Sequence, residues 1–167
     1  MIDTLELLAK EKVFSFDEIG TKAKVWKSEG QKIVFTNGVF DLLHIGHLSY
    51  LMKAASLGTK LIIGVNSDAS VKKLKGESRP VNAEYSRLLM LASLFYVSGV
   101  VVFSEETPLE LIKRVKPNIL VKGADYSIAA IVGSNEVLAD GGKVQTIEFV
   151  DGYSSTKLIA RINAKNE

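Results

Sequence analysis

No cysteine occurs in the 167-residue chain, which excludes disulfides, thiolate zinc sites and a cysteine nucleophile. The absence fits a reducing compartment, and the cytoplasm is the expected location. Neither sign of charge dominates: 21 Lys and Arg stand against 19 Asp and Glu, a formal net charge of +2. So small a charge gives no broad field for nucleic acid. Long apolar runs are also missing. The most apolar stretch, residues 88–103, is shorter than the roughly 20 residues of a membrane span and is interrupted by Ser98-Gly99, so it reads as a core helix followed by a buried strand. The opening "MIDTLELLAKEKVFSFDEIG" has early acidic residues and no uninterrupted apolar stretch, so it reads as a helical lead-in and not as a secretory signal. Neither nucleic acid nor membrane is an expected partner. There is no internal repeat. Neither G-x-G-x-x-G nor G-x-x-x-x-G-K-[ST] is found, which tells against a dehydrogenase and a P-loop NTPase.

What is present is an ordinary soluble balance, 47% apolar and 24% charged, laid out in alternating segments. Strand-length apolar runs fall at 32–35, 60–65, 99–103, 118–121 and 144–149. Helical candidates lie at 47–57, 67–74, 83–95, 107–115 and 155–163. This alternation predicts βαβ units: an α/β three-layer sandwich with a mostly parallel five-stranded sheet. Helix punctuation agrees, with Asn82 where an N-cap belongs, Gly58 after the helix opened by His47, and Thr107-Pro108 as an N-cap followed by a first-turn proline. Residues 1–30 form the lead-in and 31–167 the main domain, one domain overall. Ligands of open α/β sheets bind beyond the carboxyl ends of the strands, and the polar signatures fall there.

The chain has two histidines, His44 and His47, both inside "TNGVFDLLHIGHLSYL" (36–51). Gly38 and Gly46 allow close backbone approach. A helix starting here would aim amide N–H groups and its positive dipole end at an anion, and two imidazoles would donate to phosphate oxygens. The plainer reading is a structural corner. A zinc site is disfavoured, because no third nitrogen or sulfur ligand and no H-E-x-x-H accompany the pair.

"TNGVFDLLHIGH" resembles the signature of the cytidylyltransferase-like nucleotidyltransferases, a Rossmann-like superfamily whose H-x-G-H histidines contact nucleotide phosphates and stabilise the transition state at the α-phosphorus. Class I aminoacyl-tRNA synthetases share a related motif, but their K-M-S-K-S-type element is absent. The match spans roughly residues 30 to 163. With "VNSDASVKKLKGESRPVN", "LVKGADY" and "DGYSSTKLI" it is most similar to the adenylyltransferase half of bifunctional heptose kinase/adenylyltransferases, or its stand-alone equivalent. The resemblance implies that residues 31–167 are a nucleotidyltransferase domain using ATP with Mg²⁺ and D-glycero-D-manno-heptose 1-phosphate to make ADP-heptose and pyrophosphate for lipopolysaccharide core or surface glycans. A separate heptose 7-phosphate kinase would supply the sugar phosphate, since the kinase half has no counterpart here. Homodimers are common in the superfamily, so a homodimer is a further expectation. No dedicated metal ligands are expected.

The same resemblance assigns His44, His47 and Lys75 catalytic roles and places Thr36, Asn37, Gly38, Phe40 and Gly46 at the nucleotide. Lys72, Lys73, Lys75 and Arg79 match a basic triphosphate-holding loop, Lys75 first and Lys72 next; a solvated loop is the alternative. Arg87 matches an arginine directed into the site, or else forms a surface salt bridge. Lys122, Gly123 and Asp125 would serve base, ribose or acceptor hydroxyls, unless the lysine and carboxylate merely pair. Ser154, Ser155 and Thr156 open the last helix, whose Leu158, Ile159 and Ile162 should bury one face. They suit a β- or γ-phosphate, although simple capping explains Ser154. Phe149 stands where CTP-using relatives carry arginine, which favours ATP. Two other readings remain: a cytidylyltransferase acting on glycerol 3-phosphate or another phosphate acceptor, and a non-catalytic nucleotide sensor.

Overall fold

The computed structural model describes residues 2–124, 127–148, 150 and 152–164. Among them, one sheet is formed by β1 (Val13–Phe14), β2 (Ile33–Gly38), β3 (Lys60–Asn66), β4 (Gly99–Phe103), β5 (Ile119–Gly123) and β6 (Lys143–Ile147). The order is β1-β4-β3-β2-β5-β6, and every pairing is parallel. The helices are α1 (Ile2–Lys10), α2 (Phe16–Ser28), α3 (Ile45–Ala55), α4 (Asp68–Lys75), α5 (Glu84–Ala92), α6 (Leu109–Val115), α7 (Ser134–Ala139) and α8 (Ser155–Asn163). The sheet thus has six strands where five were expected. The extra one, β1, pairs Val13 with Val100 and Phe14 with Val101, and two residues are too few to show a period in sequence.

A strand buried on both faces must be apolar at successive positions. Ile33 and Phe35 enter one core while Val34 enters the other, and Leu61, Ile63 and Val65 oppose Ile62 in the same way. Helices α3 and α5 cover the first face through Tyr50, Leu51, Ala54, Leu88, Leu91 and Ala92. The second face is covered by α2, α6 and α7 through Ile19, Ala23, Trp26, Leu111, Ile112, Val115 and Val137. The chain runs β2, β3, β4 in one direction across the sheet, then crosses back to β5 and β6. Crossovers of one hand running in opposite directions deposit their helices on opposite faces, which accounts for the three layers. The reversal makes a switch point between β2 and β5, where a ligand crevice opens at the carboxyl ends.

Several local expectations are corrected. Helix α5 has Ala83 at its N-cap with no side-chain bond; Asn82 instead donates through Nδ2 to the Asp41 carbonyl at 2.6 Å. Pro108 is itself the N-cap residue of α6, without a side-chain cap. The lead-in contains a second helix, α2, opened by a capping box in which Ser15 Oγ accepts from Glu18 N and the Glu18 carboxylate accepts from Ser15 N. Ile162 of α8 is 56% exposed, and Leu158 and Ile159 are only half-buried. No helix among the described residues is long and apolar enough to cross a membrane.

Candidate active site

A cleft of about 400 Å³ opens at the carboxyl ends of the central strands. Asn37 and Gly38 reach it from β2, Asn66 from β3, Phe103 from β4, and Lys122 and Gly123 from β5, with Phe40, His47, Tyr50, Lys75 and Glu106 completing much of the wall. Two buried polar atoms on this wall, Asn37 Oδ1 and His47 Nδ1, have no hydrogen-bond partner among the described residues. Native interiors rarely leave such atoms unpaired, and both belong to residues of the cleft wall.

The turn from β2 into α3 builds the histidine corner. Phe40 is buried with φ 51°, in the left-handed region that a bulky side chain rarely adopts; strain of this kind, of order 1–3 kcal/mol, concentrates at functional sites. His44 is the N-cap of α3, its Nδ1 accepting from His47 N at 3.3 Å. The neutral His44 therefore carries its proton on Nε2. The two imidazoles stack with centroids 3.9 Å apart and planes 21° apart, and Phe40 tilts against His47 at 5.3 Å. Gly46 makes this possible, because a Cβ there would lie 3.0 Å from two atoms of the His44 ring. That glycine therefore makes room for the ring. The His47 amide is not offered to an anion, since His44 already holds it.

Burial, foremost, together with the charge His44 would carry, pushes the His47 pKa down to about 4; the Leu42 carbonyl opposes this and Lys75 adds to it. Burial also lowers that of His44. Before a ligand arrives, both rings are neutral at pH 7, each with one N–H to donate.

Beneath the corner lies a charged frame. Burial alone would raise the Asp41 pKa, but hydrogen bonds from the amides of Asn82 and Val81 and the Arg79 guanidinium hold it below the usual carboxylate range. The Arg79 Nε contact is 2.6 Å. Arg87 is fully buried, and it donates to the carbonyls of Val39 and Asn66 and to Asp68 Oδ1, each at 2.8 Å, and to the Asn82 carbonyl at 3.1 Å. It thereby ties the turn after β2 to the end of β3 and to the loop before α5, below the cleft wall.

The remaining candidates divide between wall and support. Lys75 lines the cleft, Lys73 an adjoining recess, and Lys72 faces Glu77 at 3.5 Å on the surface. Thr36 is buried, its hydroxyl 2.8 Å from that of Tyr50. Lys122 Nζ donates to the Asn37 carbonyl at 3.3 Å. Ser154 caps α8 by accepting from Lys157 N at 3.1 Å, Ser155 donates to the Leu42 carbonyl at 3.1 Å, and Thr156 is exposed. Asp125 and Phe149 lie outside the described residues. Asn66, Tyr50, Phe103 and Glu106 had not been singled out in sequence. Asn66 and Phe103 end strands β3 and β4, and that position was the available signal.

A family model described as cytidylyltransferase-like matches residues 35–161. The chain is 53% identical over 156 residues to the bifunctional protein HldE of Campylobacter jejuni subsp. doylei, and 50% identical over 154 residues to that of Wolinella succinogenes. These alignments cover 93% and 92% of this chain but 32% of each relative, so the chain spans about a third of their length. Among solved structures, a lipopolysaccharide core biosynthesis protein from Thermoplasma volcanium is 29% identical with TM-score 0.61, covering 75% of this chain and all of that one. Pantoate-beta-alanine ligase from Francisella tularensis, 17% identical with TM-score 0.58 over 93% of this chain and 78% of that one, shares the fold.

Proposed function

Because the chain belongs to the cytidylyltransferase-like family, we propose that it is an adenylyltransferase that joins AMP from ATP to D-glycero-D-manno-heptose 1-phosphate, acting in the cytoplasm. The observation that carries this reading is the stacked His44–His47 pair beside a cleft whose wall also presents Lys75 and Lys122. The similarity to the HldE proteins and the four ordered sequence motifs support the choice of substrates.

A phosphate oxygen of the sugar 1-phosphate attacks the α-phosphorus of ATP in line. The bond from that phosphorus to the bridging oxygen breaks, and pyrophosphate leaves with the electron pair. No general base is required, because the acceptor phosphate is already anionic. Catalysis is then positioning and charge stabilisation. The His44 Nε2–H and the His47 ring would donate to oxygens around the α-phosphorus as the leaving group departs. A nearby triphosphate raises the pKa of both rings, so they gain positive charge when it is useful. Lys75 would hold the pyrophosphate portion and Lys122 the neighbouring polar groups of the substrates. Arg87, Asp41 and Arg79 would position the histidine turn without touching substrate. Among the described residues, no group of three or more His, Asp or Glu could cage a metal. Mg²⁺ would accordingly be held by phosphate oxygens and water, where it neutralises charge.

The test is a matrix of nucleotides and acceptors with Mg²⁺, read by mass spectrometry of products. ADP-heptose should form from ATP far faster than CDP-heptose from CTP, with glycerol 3-phosphate a poor acceptor. Robust CDP-glycerol synthesis would overturn the substrate assignment. Nucleotide binding without turnover across the panel would favour a sensor.

A further inference from the structure

We propose that Glu106 recognises the acceptor sugar, its carboxylate accepting hydrogen bonds from the hydroxyls of the heptose, including the exocyclic arm. This deepens the adenylyltransferase reading and rests on it. Glu106 is the single acidic side chain among the described residues of the cleft wall. Its surroundings there are otherwise suited to anions, with Lys75, Lys122 and His47 on the same wall. A carboxylate repels phosphate, so its place marks where the substrates present hydroxyls.

Its position separates it from the histidine loop and from Lys122, while Lys75 at the end of α4 lies on its own side. Glu106 lies in the loop after β4, on the β3–β4 side of the switch point, whereas Lys122 lies in β5 on the other side of β2 and the loop carrying the histidines follows β2. The same carboxylate also borders an adjoining recess of about 290 Å³ lined by Ser70, Lys73, Leu74 and Ser104. It therefore stands between two hollows, one able to take a sugar ring and its phosphate and the other lined by hydroxyls and an amine. A seven-carbon sugar differs from a hexose by an exocyclic arm bearing hydroxyls, and this recess offers such an arm polar partners.

Its neighbour sharpens the point. The Glu105 carboxylate accepts from the Ser104 amide at 3.0 Å and so closes its own loop. Glu106 has no hydrogen bond or ion pair among the described residues. The loop's far end is anchored, with Pro108 buried on the cleft wall at the start of α6. One acid is used by the fold, and the adjacent one is presented to the cleft.

Steady-state kinetics of Glu106→Ala and Glu106→Gln test this, using heptose 1-phosphate and mannose 1-phosphate as acceptors. Loss of a charge-assisted hydrogen bond should raise the heptose 1-phosphate KM about tenfold to hundredfold in the alanine variant, and less in the glutamine variant. The alanine variant should also lose most of the wild-type preference for heptose over mannose. The KM and calorimetric Kd for ATP, the half-saturating Mg²⁺ concentration and the melting temperature should stay unchanged. An acceptor KM within twofold of wild type, or an intact preference for heptose, overturns the proposal while leaving the adenylyltransferase reading in place. A shift confined to ATP or Mg²⁺ overturns it too, placing the carboxylate at the ribose or the metal. Wild-type protein that makes no ADP-sugar overturns both readings.

Discussion

Helices α3 and α8 begin beside the same loop and obey the same local rule, yet the fold treats them differently. Each has a side-chain N-cap: His44 Nδ1 accepts from His47 N, and Ser154 Oγ accepts from Lys157 N. Helix α3 then buries Gly46, Tyr50, Leu51 and Ala54. On α8, Leu158 and Ile159 are half-buried and Ile162 is exposed. The start of α8 is tied to the histidine loop by the Ser155 hydroxyl on the Leu42 carbonyl and by the Tyr153 ring 6.5 Å from that of His44. Local chemistry thus decides where each helix starts, and tertiary burial decides whether the groups it presents are held before a ligand arrives. The α3 corner is preorganised; the α8 corner rests on a few contacts at its rim.

The largest expected effect lies under the α3 corner. Arg87→Ala leaves a buried acceptor set unpaired and should cost about 3–5 kcal/mol in chemical denaturation, whereas Arg161→Ala on exposed α8 should stay within about 0.5 kcal/mol. Similar losses for the two would erase the contrast.

Next comes turnover. Removing one transition-state donor by His47→Ala should lower kcat about 10²- to 10³-fold with the fold retained. Because His44 also caps α3, His44→Ala should lose about 1 kcal/mol of stability as well as turnover. His44→Asn separates the roles, since asparagine restores the cap and not the catalytic donor. An asparagine variant that recovers turnover would reduce His44 to a capping residue. By comparison, Ser155→Ala should mainly weaken ATP binding, by less than about tenfold.

The pH dependence is smaller and bears on the α3 corner alone. With the folded pKa of His47 at about 4 and the unfolded value near 6.5, the unfolded chain binds the proton more tightly. Stability of the ligand-free protein should therefore be flat above pH 6.5 with respect to this group and fall as the pH drops from there toward 4. A bound triphosphate raises the pKa, so ATP binding at pH 5.5 should take up protons, seen as a buffer-dependent heat in calorimetry. His47→Ala should remove most of that dependence, and an unchanged dependence would place the proton elsewhere.

The smallest effect belongs to the apolar face of α8, set against that of α3. Ile162→Ser should leave stability within about 0.5 kcal/mol, while Leu51→Ala, fully buried in α3, should cost roughly 2–5 kcal/mol. A large loss from the α8 substitution would mean that this face is covered in solution.

Much of the architecture was legible in the chain. The five longer strands fall close to where the apolar runs lie, because a parallel strand buried on both faces needs an unbroken run of apolar residues. The histidine pair stood out because the chain has two histidines and both sit where a strand gives way to a helix. β1 was not legible, since a two-residue edge strand is defined by its partner β4 and by no pattern of its own. Nor was the second function of His44, because an imidazole is not read as a helix cap.

Composition and periodicity pointed to the layer architecture and the strand positions, since burial demand acts residue by residue along each element, while the histidine motif and the resemblance it carries marked the segment in which phosphate chemistry was to be sought. Which side chains face the cleft was decided only when the strands came together. Arg79 and Arg87 look like phosphate ligands in sequence, yet the fold gives them Asp41, Asp68 and backbone carbonyls as partners. Lys72 and Lys75 look alike in sequence, yet the fold sets one against Glu77 at the surface and the other on the cleft wall. Glu106 carried no signal until the crossover from β4 to α6 set it on the cleft wall with the lysines. A side chain's partners come from residues distant in sequence, and only the closed sheet supplies them.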